Sequence, residues 1–303
     1  MKFLIITSTE DLASMNIRER LLESDLFHFK EIDLKWHDHP LYNLVSITFM
    51  KDRTAFFEEH QVLLGITDSP LIFLDDLKLE HSNIKPDFLI FASRHRSETA
   101  RPAFLIHATG NWSDKADFGG KGKKLSRTSA FLVKAGFQCL KRQVAIPLFE
   151  EISEFALDIE VTHHGPTTLQ NHAIFMELGS SEKEWEIEQA GNLVARAIIE
   201  TCFNYIEIKQ NEYTKVGIGF GGTHYAPQFR KLIEQKNVAV SFICPKYYIQ
   251  ELDKKMIEQM IYNTLEKVDY FIVDWKGTNS QDKQHLLPLL EEFDIPIKKT
   301  KEL

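Results

Sequence analysis

The sequence lacks a long hydrophobic run and has few cysteines, and each absence excludes a class of protein. No stretch of the 303 residues approaches the ~18 consecutive apolar residues of a membrane helix, and the apolar run near the N-terminus is too short for a signal peptide. The three cysteines, Cys139, Cys202 and Cys244, are far apart and form no C-x-x-C pattern. This spacing argues against a disulfide framework and a thiolate zinc site. We therefore expect a cytoplasmic protein that does not associate with membranes.

Nucleotide-binding motifs are also missing. There is no G-K-[ST] phosphate loop, and the literal G-x-G-x-x-G match at residues 217–222 is followed by residues 241–244 (SFIC), which lack the acidic residue that binds a ribose. We interpret these glycines as positions where the backbone approaches a substrate and offers amide N–H groups to an oxyanion. Gly221 and Gly222 are therefore candidate substrate contacts. Glycine used only for close strand packing is the alternative.

Charge is distributed unevenly along the chain. The net charge is −8, but residues 85–147 contain twelve basic and four acidic residues, a local balance of +8. This stretch predicts a surface for phosphate groups, with a flexible glycine- and lysine-rich loop at residues 119–124, although a solvated charged face is the alternative. Its candidate substrate contacts are Arg94, Arg101, Lys121, Lys123 and Lys124. We treat residues 1–303 as a single domain with a basic excursion around residues 110–145.

Alternating strand and helix patterns indicate the fold class. Apolar runs predict strands at residues 2–6, 71–74, 88–91, 104–107, 155–161, 174–178, 216–220, 238–243 and 270–273. Several runs are continuously apolar, which is typical of strands that are covered on both faces. Ser181 and Glu184 form a capping box before a long helical pattern, and Pro227 is placed to begin another helix. The pattern predicts an α/β protein with a mixed, largely parallel sheet flanked by helices.

Histidines follow three of the predicted strands. They lie in the blocks at residues 93–95 (SRH), 162–167 (THHGPT) and 221–227 (GGTHYAP), and Glu177 ends a further apolar run. Because loops at strand ends gather ligands and catalytic groups, we expect one convergent site. Imidazole serves both as a metal ligand and as an acid or base, and the His163-His164 tandem alone does not choose between these roles or a structural one. Side-chain alternation allows only one of the two into a cleft, unless the Gly165-Pro166 turn lets both reach it.

Several blocks, taken together, resemble one protein family. They are Ser93-Arg94-His95-Arg96-Ser97-Glu98, Arg101-Pro102, His107-Ala108-Thr109-Gly110-Asn111, His163-His164-Gly165-Pro166-Thr167, Met176-Glu177-Leu178-Gly179-Ser180, Trp185, and Gly221-Gly222-Thr223-His224-Tyr225-Ala226-Pro227. The combination is similar to the D-aminoacyl-tRNA deacylases of the archaeal and plant type, from near residue 1 to about residue 275. The chain departs from that pattern at Thr223, where a third glycine is expected, and at Ala108-Thr109, where Thr-Pro is more usual.

The resemblance implies a cytosolic, zinc-dependent hydrolase with a phosphorylase/hydrolase-like fold, which removes D-amino acids from tRNA. The implied partner is D-aminoacyl-tRNA, and no obligate protein partner is evident. On this basis the candidate catalytic residues are His163, His164, His224 and Glu177, the candidate zinc ligands are His95, His163 and His224, and Tyr225 is a further substrate contact. Two alternatives are a zinc peptidase or amidohydrolase acting on small substrates, and a non-catalytic RNA-binding protein.

Overall fold

The computed structural model describes residues 1–49 and 54–303. The strands in this part of the chain are β1 (Lys2–Ser8), β2 (Phe27–Trp36), β3 (His39–Ile47), β4 (Gln61–Thr67), β5 (Phe88–Arg96), β6 (Ala103–His107), β7 (Gly110–Asn111), β8 (Lys124–Leu125), β9 (Ala156–Ile159), β10 (His172–Ser180), β11 (Lys215–Phe220), β12 (Val238–Cys244), β13 (Tyr270–Val273) and β14 (Ile297–Lys299). The helices are α1 (Leu12–Glu23), α2 (Thr54–Glu59), α3 (Ala130–Val144), α4 (Glu182–Trp185), α5 (Glu188–Lys209), α6 (Pro227–Gln235), α7 (Lys254–Tyr262) and α8 (Ser280–Glu291). None of these helices is both long and apolar enough to cross a membrane.

The larger sheet has the strand order β2-β3-β4-β1-β5-β10-β6-β9. Its centre is parallel, because β1 pairs in parallel with β4 and β5, and β5 pairs in parallel with β10. The strand β6 runs antiparallel to β10 and parallel to β9, and the β2-β3 hairpin is antiparallel. The mixed, largely parallel sheet flanked by helices that the sequence predicts is therefore confirmed.

Both faces of this sheet are covered. On β1, Phe3 and Ile5 face the apolar core that includes α1, α3 and α5, while Leu4 and Ile6 face a second core. That second core is closed by Trp36 and by the segment at residues 71–84. Burial on both faces explains why the central strands are continuously apolar.

A smaller parallel sheet has the order β12-β11-β13-β14. One of its faces packs against α6, and the other packs against α7 and α8. The segment at residues 160–162 joins the two sheets: Glu160 N donates to Ile106 O, Val161 N to His224 O, and Thr162 N to Ile243 O, at 2.9–3.2 Å. Backbone hydrogen bonds therefore fix the edge of the large sheet against the strand ends of the small one.

Some sequence predictions are wrong in detail. Residues 71–74 do not form a strand, because Leu71–Phe73 is a 3-10 helix whose leucine fills the second core. The helix expected from Ser181 is divided into α4 and α5, although Ser181 N does donate to the Glu184 carboxylate at 2.9 Å and α6 begins at Pro227 as expected. The strands β2, β3 and β4 were not predicted. The hairpin strands β2 and β3 mix polar with apolar residues and escape a search for apolar runs, whereas β4 is an apolar, buried run that was missed.

The basic stretch does not form one excursion. Its second half is α3, which packs against α5 and β12 and includes ten buried residues. Lys134 in this helix is buried, and Lys141 and Arg142 at its end pair with Glu234 and Glu200. The +8 local charge is therefore divided among core, helix end and loops and does not form a single surface.

Lys134 provides a test of how α3 holds the small sheet. Its Nζ donates to the carbonyls of Ile233, Lys236 and Val238 at 2.8–3.1 Å. Replacing it (Lys134→Met) removes the donor from three carbonyls, two of them in buried hydrogen bonds, and we expect the free energy of unfolding to fall by about 2–4 kcal/mol in denaturant titrations. The control Lys141→Met removes an exposed ion pair on the same helix and should cost less than about 1 kcal/mol. Equal losses in the two variants would show that the buried contacts are unimportant.

Candidate active site

Three neighbouring strands of the large sheet deliver side chains to one face. In the register, Glu177 on β10 lies beside Ser93 on β5 and beside Leu105 on β6. Because side chains alternate, His95 and His107 share this face with them, opposite to α1 and α5. Gly179 pairs with His95, and a Cβ at Gly179 would lie 2.6 Å from the Cβ of His95. Position 179 therefore has to be glycine, because any larger residue there would clash with the His95 side chain.

The tandem histidines follow the segment that joins the two sheets. His163 forms an isolated parallel bridge with Thr109, and His164 has a φ of 41°, so the chain turns sharply before Pro166. Both rings consequently reach the same site, with centroids 4.5 Å apart. The turn thus places both side chains in one site, whereas in a regular strand they would point to opposite faces.

His224 comes from the small sheet. It follows Gly221 and Gly222, whose φ values of 95° and 80° turn the chain back after β11. Its Nε2 lies 2.6 Å from Oε1 of Glu160, and its ring centroid lies 4.9 Å from that of His163. At 41% side-chain exposure, His224 is far more accessible than His95, His107 and His164, which are 6%, 0% and 11% exposed. The strand ends of both sheets therefore meet around a single group of side chains, the His/Glu cluster: His95, His107, Glu160, His163, His164, Glu177 and His224.

The two carboxylates of the cluster are almost completely buried. Glu160 lies 2.6 Å from His224, 3.5 Å from His95 and 3.9 Å from His107, measured between ring nitrogens and carboxylate oxygens. Glu177 lies 3.3 Å from His95 and accepts a 2.8 Å hydrogen bond from Ser93 Oγ. Burial alone would raise their pKa values, but the imidazoles outweigh it and hold both pKa values well below normal. The carboxylates are therefore ionised.

The imidazoles are affected differently by the same surroundings. Burial favours the neutral ring of His95, but Glu160 and Glu177 outweigh it and raise its pKa to about 11. For His163, burial and then the neighbouring rings of His107 and His164 lower the pKa well below normal. His163 therefore stays neutral, which is the form that binds metal ions.

Backbone carbonyls fix the orientation of three rings. Nδ1 of His107, His163 and His164 lies 3.0, 2.9 and 2.6 Å from the carbonyl oxygens of Ala108, Val161 and Gly165 respectively. Each Nδ1 therefore donates its proton to a carbonyl, and Nε2 is the nitrogen left to face the cluster. Nε2 of His107 and Nε2 of His164 lie 3.6 and 3.8 Å from Oε1 of Glu177, and for His107 this carboxylate outweighs burial and raises the pKa. This arrangement is typical of histidines that bind a metal ion through Nε2.

Several buried polar atoms of the cluster have no hydrogen-bond partner among the described residues. They are Nε2 of His95, Nε2 of His107 and both carboxylate oxygens of Glu160, which has imidazole nitrogens nearby but no well-aligned donor. Buried polar atoms are normally satisfied, so such a group needs a partner. Imidazole and carboxylate are ligands that suit zinc, and the residues present therefore fit a metal ion.

Three sets of potential ligand atoms lie within 4.8 Å of one another. They are His107 with His163 and His164, Glu160 with His163 and His224, and His95 with Glu160 and Glu177. The expected ligands His95, His163 and His224 do not form a set of their own within the described chain, because Nδ1 of His95 faces the two carboxylates. His163 and His224 do belong to one set, with Glu160. His95 belongs to another set that shares Glu160 with it.

The expected substrate contacts are distributed over several surfaces. Arg94 points to the α1 side of β5, where it donates to Glu10 O and lies over the Trp185 ring, so it faces away from the cluster. Arg101 is exposed beside Asp158, on the same sheet face as the cluster. Tyr225 lies beside His224 and His95, with ring centroids 5.3 and 6.3 Å away. Arg101 and Tyr225 therefore remain candidates.

The two glycine segments are tightly packed. The amides of Gly221 and Gly222 donate to Cys244 O and Gly277 O at 2.8 and 3.2 Å, so the expectation that they face an oxyanion is wrong. In the 119–124 loop, Asn111 Nδ2 donates to Gly119 O and Lys121 N donates to Thr167 Oγ1. The expectation of a flexible loop is therefore not supported by these contacts. Lys121 and Lys124 are exposed on it and Lys123 is half-buried.

Sequence reasoning did not select two members of the cluster. His107 ends the predicted strand at residues 104–107, and Glu160 lies near the end of the predicted strand at residues 155–161. The neighbours of both side chains come from other parts of the chain. Pairing of β6 with β10 places His107 beside Glu177, and the bonds of the 160–162 segment to the small sheet place Glu160 beside His224. The sequence did offer one indication that both belong to the site, because each side chain lies at or just beyond the end of an apolar strand.

Fold and site together define an α/β protein with a buried histidine and glutamate centre at the strand ends of two sheets. The family model for D-aminoacyl-tRNA deacylase matches residues 82–298. D-aminoacyl-tRNA deacylase of Thermococcus kodakarensis is 35% identical over 296 residues, covering 96% of this chain and 97% of the relative. The enzymes of the same name from Pyrococcus furiosus (96% and 97% covered) and Methanocaldococcus jannaschii (97% and 98%) are 33% and 31% identical.

A solved crystal structure of a conserved protein of unknown function is also similar. It superposes with a TM-score of 0.79 at 28% identity, covering all of this chain and 96% of the other. The chain therefore belongs to the D-aminoacyl-tRNA deacylase family, and the resemblance seen in the sequence is confirmed.

Asp75 provides a test of how the loop after the tandem histidines is held. Its Oδ1 accepts hydrogen bonds from Thr167 N, Thr168 N and Thr168 Oγ1 at 2.8–2.9 Å. Asp75→Ala leaves these donors without an acceptor, and we expect the free energy of unfolding to fall by about 1–3 kcal/mol. The neighbouring control Asp76→Ala, at an exposed residue that accepts one hydrogen bond from Lys78 N, should cost less than about 1 kcal/mol. Indistinguishable unfolding curves for the two variants would contradict this role of Asp75.

Proposed function

We propose that this protein hydrolyses the ester bond of D-aminoacyl-tRNA, releasing a free D-amino acid and tRNA, with a zinc ion bound in the His/Glu cluster. The observation that supports a hydrolytic centre is the meeting of five imidazoles and two carboxylates from distant parts of the chain. Several buried ligand atoms of this group have no hydrogen-bond partner within residues 1–49 and 54–303. Family membership supports the substrate. The proposed activity belongs to translation quality control and hence to the cytoplasm.

We assign the metal ion to His107, His163 and His164. All three have Nδ1 engaged by a backbone carbonyl, so Nε2 is the nitrogen that would bind the ion. Glu177, at 3.6 and 3.8 Å from Nε2 of His107 and His164, would offset the charge of the cation. Three protein ligands leave a position open for water or substrate, as in other catalytic zinc sites. When bound, zinc lowers the pKa of a water molecule and polarises the ester carbonyl.

His224 is then the base that accepts the proton of the attacking water. The ring of His224 is not aligned for a hydrogen bond, but its Nε2 lies 2.6 Å from Oε1 of the ionised Glu160, which favours a proton on Nε2. Nδ1 is then the nitrogen that would receive the proton of the water. The carboxylate also stabilises the imidazolium that forms, in the same way that a buried aspartate supports the histidine of a serine hydrolase. The exposure of His224 allows this proton to pass to solvent or to the leaving ribose oxygen.

Glu177 acts mainly by holding other groups in place. It is buried among His95, His107 and His164, and Ser93 fixes one of its oxygens. A carboxylate in this position orients the imidazoles and offsets their charge, while His224 is better exposed for proton transfer. The comparisons give no support to the alternatives of a small-molecule peptidase or a non-catalytic RNA-binding protein.

Removal of metal is the first test of the proposal. Dialysis against a chelator, verified by elemental analysis, should abolish hydrolysis of D-tyrosyl-tRNA, and added Zn²⁺ should restore it, because the ester carbonyl and the water lose their activating cation. L-tyrosyl-tRNA is the control and should be stable with both forms of the protein. Full activity in a preparation proven free of metal would refute the zinc assignment, and stability of D-tyrosyl-tRNA in all preparations would refute the deacylase activity.

Two histidine variants separate metal binding from proton transfer. We expect His163→Ala to lose both zinc and activity, whereas His224→Ala should keep zinc and lose about 10²–10⁴-fold in kcat, the range for removal of a general base. Zinc per chain and kcat are measured on the same preparations, and circular dichroism checks that both variants are folded. Loss of zinc from His224→Ala would move that residue into the metal shell and leave the base unassigned.

A further inference from the structure

Two arginines from distant elements meet on one buried carboxylate beside the cluster. Nη1 of Arg230 lies 3.0 Å from Oδ1 of Asp158, and Nη1 of Arg101 lies 3.8 Å from Oδ2. The Asp158 side chain is only 8% exposed, whereas those of Arg230 and Arg101 are 39% and 62% exposed. The carboxylate is therefore a buried support, and the guanidinium groups face solvent.

This arginine pair has a defined position relative to the His/Glu cluster. Asp158 pairs with Leu105 in the register, and Leu105 pairs on its other side with Glu177. Asp158 and Glu177 thus lie on one sheet face, two strand spacings or about 10 Å apart. Tyr225 covers the apolar floor between them, packing on Ala103, Leu105 and Ala156.

The local charge favours an anion. Besides Asp158, Arg230 faces Glu234 at 3.8 Å, and Glu234 is also paired with Lys141 at 2.7 Å. Counting Arg101, Arg230 and Lys141 against Asp158 and Glu234 gives a net charge of +1. Each guanidinium group has five donors, of which Asp158 and Glu234 occupy only some, so both arginines retain N–H groups for a ligand.

We propose that Arg101 and Arg230 bind the 5′-phosphate of the terminal nucleotide of the tRNA, while the ester on its ribose lies at the His/Glu cluster. The inference rests on the proposed function and names a substrate contact within it. A single nucleotide bridges the separation between the two sites, with its sugar and base against Tyr225. Arginine binds phosphate through paired, charge-assisted hydrogen bonds, and a side chain already held by Asp158 loses less conformational freedom on binding.

The experiment compares two soluble probes that differ only in this phosphate. Isothermal titration of the wild-type holoprotein should give at least tenfold tighter binding of adenosine 5′-monophosphate than of adenosine. In Arg101→Gln/Arg230→Gln this difference should disappear, while the affinity for adenosine stays within twofold. The control Arg142→Gln, at an exposed arginine paired with Glu200, should behave as wild type. Thermal unfolding verifies that the variants are folded.

Hydrolysis of D-tyrosyl-tRNA separates this inference from the proposed function. The double variant should show a KM raised about tenfold, with kcat within twofold, because the phosphate contact is made equally in the ground state and the transition state. Turnover of D-tyrosyl-tRNA by a protein that binds the two probes equally well would overturn the arginine site alone. A phosphate-dependent difference in a protein without turnover would retain the site and defeat the deacylase activity. A fall in kcat at unchanged KM would also overturn the phosphate assignment.

Discussion

Burial of two ionised carboxylates is the constraint on which the rest of the site depends. Moving a carboxylate out of water costs several kcal/mol even after the protein relaxes, and here Glu160 and Glu177 are both almost inaccessible. Imidazoles surround them at 2.6–3.9 Å, and His95, whose pKa the two carboxylates raise to about 11, supplies opposing charge. Neither group of side chains is stable in this interior without the other, so carboxylates and histidines are positioned as one unit.

The fold assembles this unit by joining two sheets at their strand ends. The 160–162 segment leaves the edge of the large sheet and forms backbone hydrogen bonds with the small sheet. His224 follows a tight glycine turn at the end of a strand of the small sheet and so lies beside Glu160. The carbonyls that orient three of the rings belong to Ala108, Val161 and Gly165, which lie just beyond the ends of β6 and β9. A centre built in this way changes little when a substrate binds, which suits a reaction that relies on electrostatic preorganisation.

Sequence reasoning predicted those parts of the fold that depend on local pattern. Continuously apolar runs identified β1, β5, β6 and β10, and the resemblance identified the family. The same reasoning failed for the β2-β3 hairpin, whose polar residues alternate with apolar ones, and for the basic stretch. There, linear charge density suggested one surface, but Lys134 turned out to be a buried donor, because three carbonyl groups from another part of the chain satisfy it.

The sequence by itself determined that histidines stand at strand ends and that both faces of the central strands are covered, since periodicity and strand direction are local properties. Only the tertiary structure decided which groups meet. His107 and Glu160 join the site because β6 pairs with β10 and the 160–162 segment bonds to the small sheet. Arg101 and Arg230, 129 positions apart, become a pair because Asp158 is buried between them. Such contacts depend on strand order and register, which no short stretch of sequence encodes.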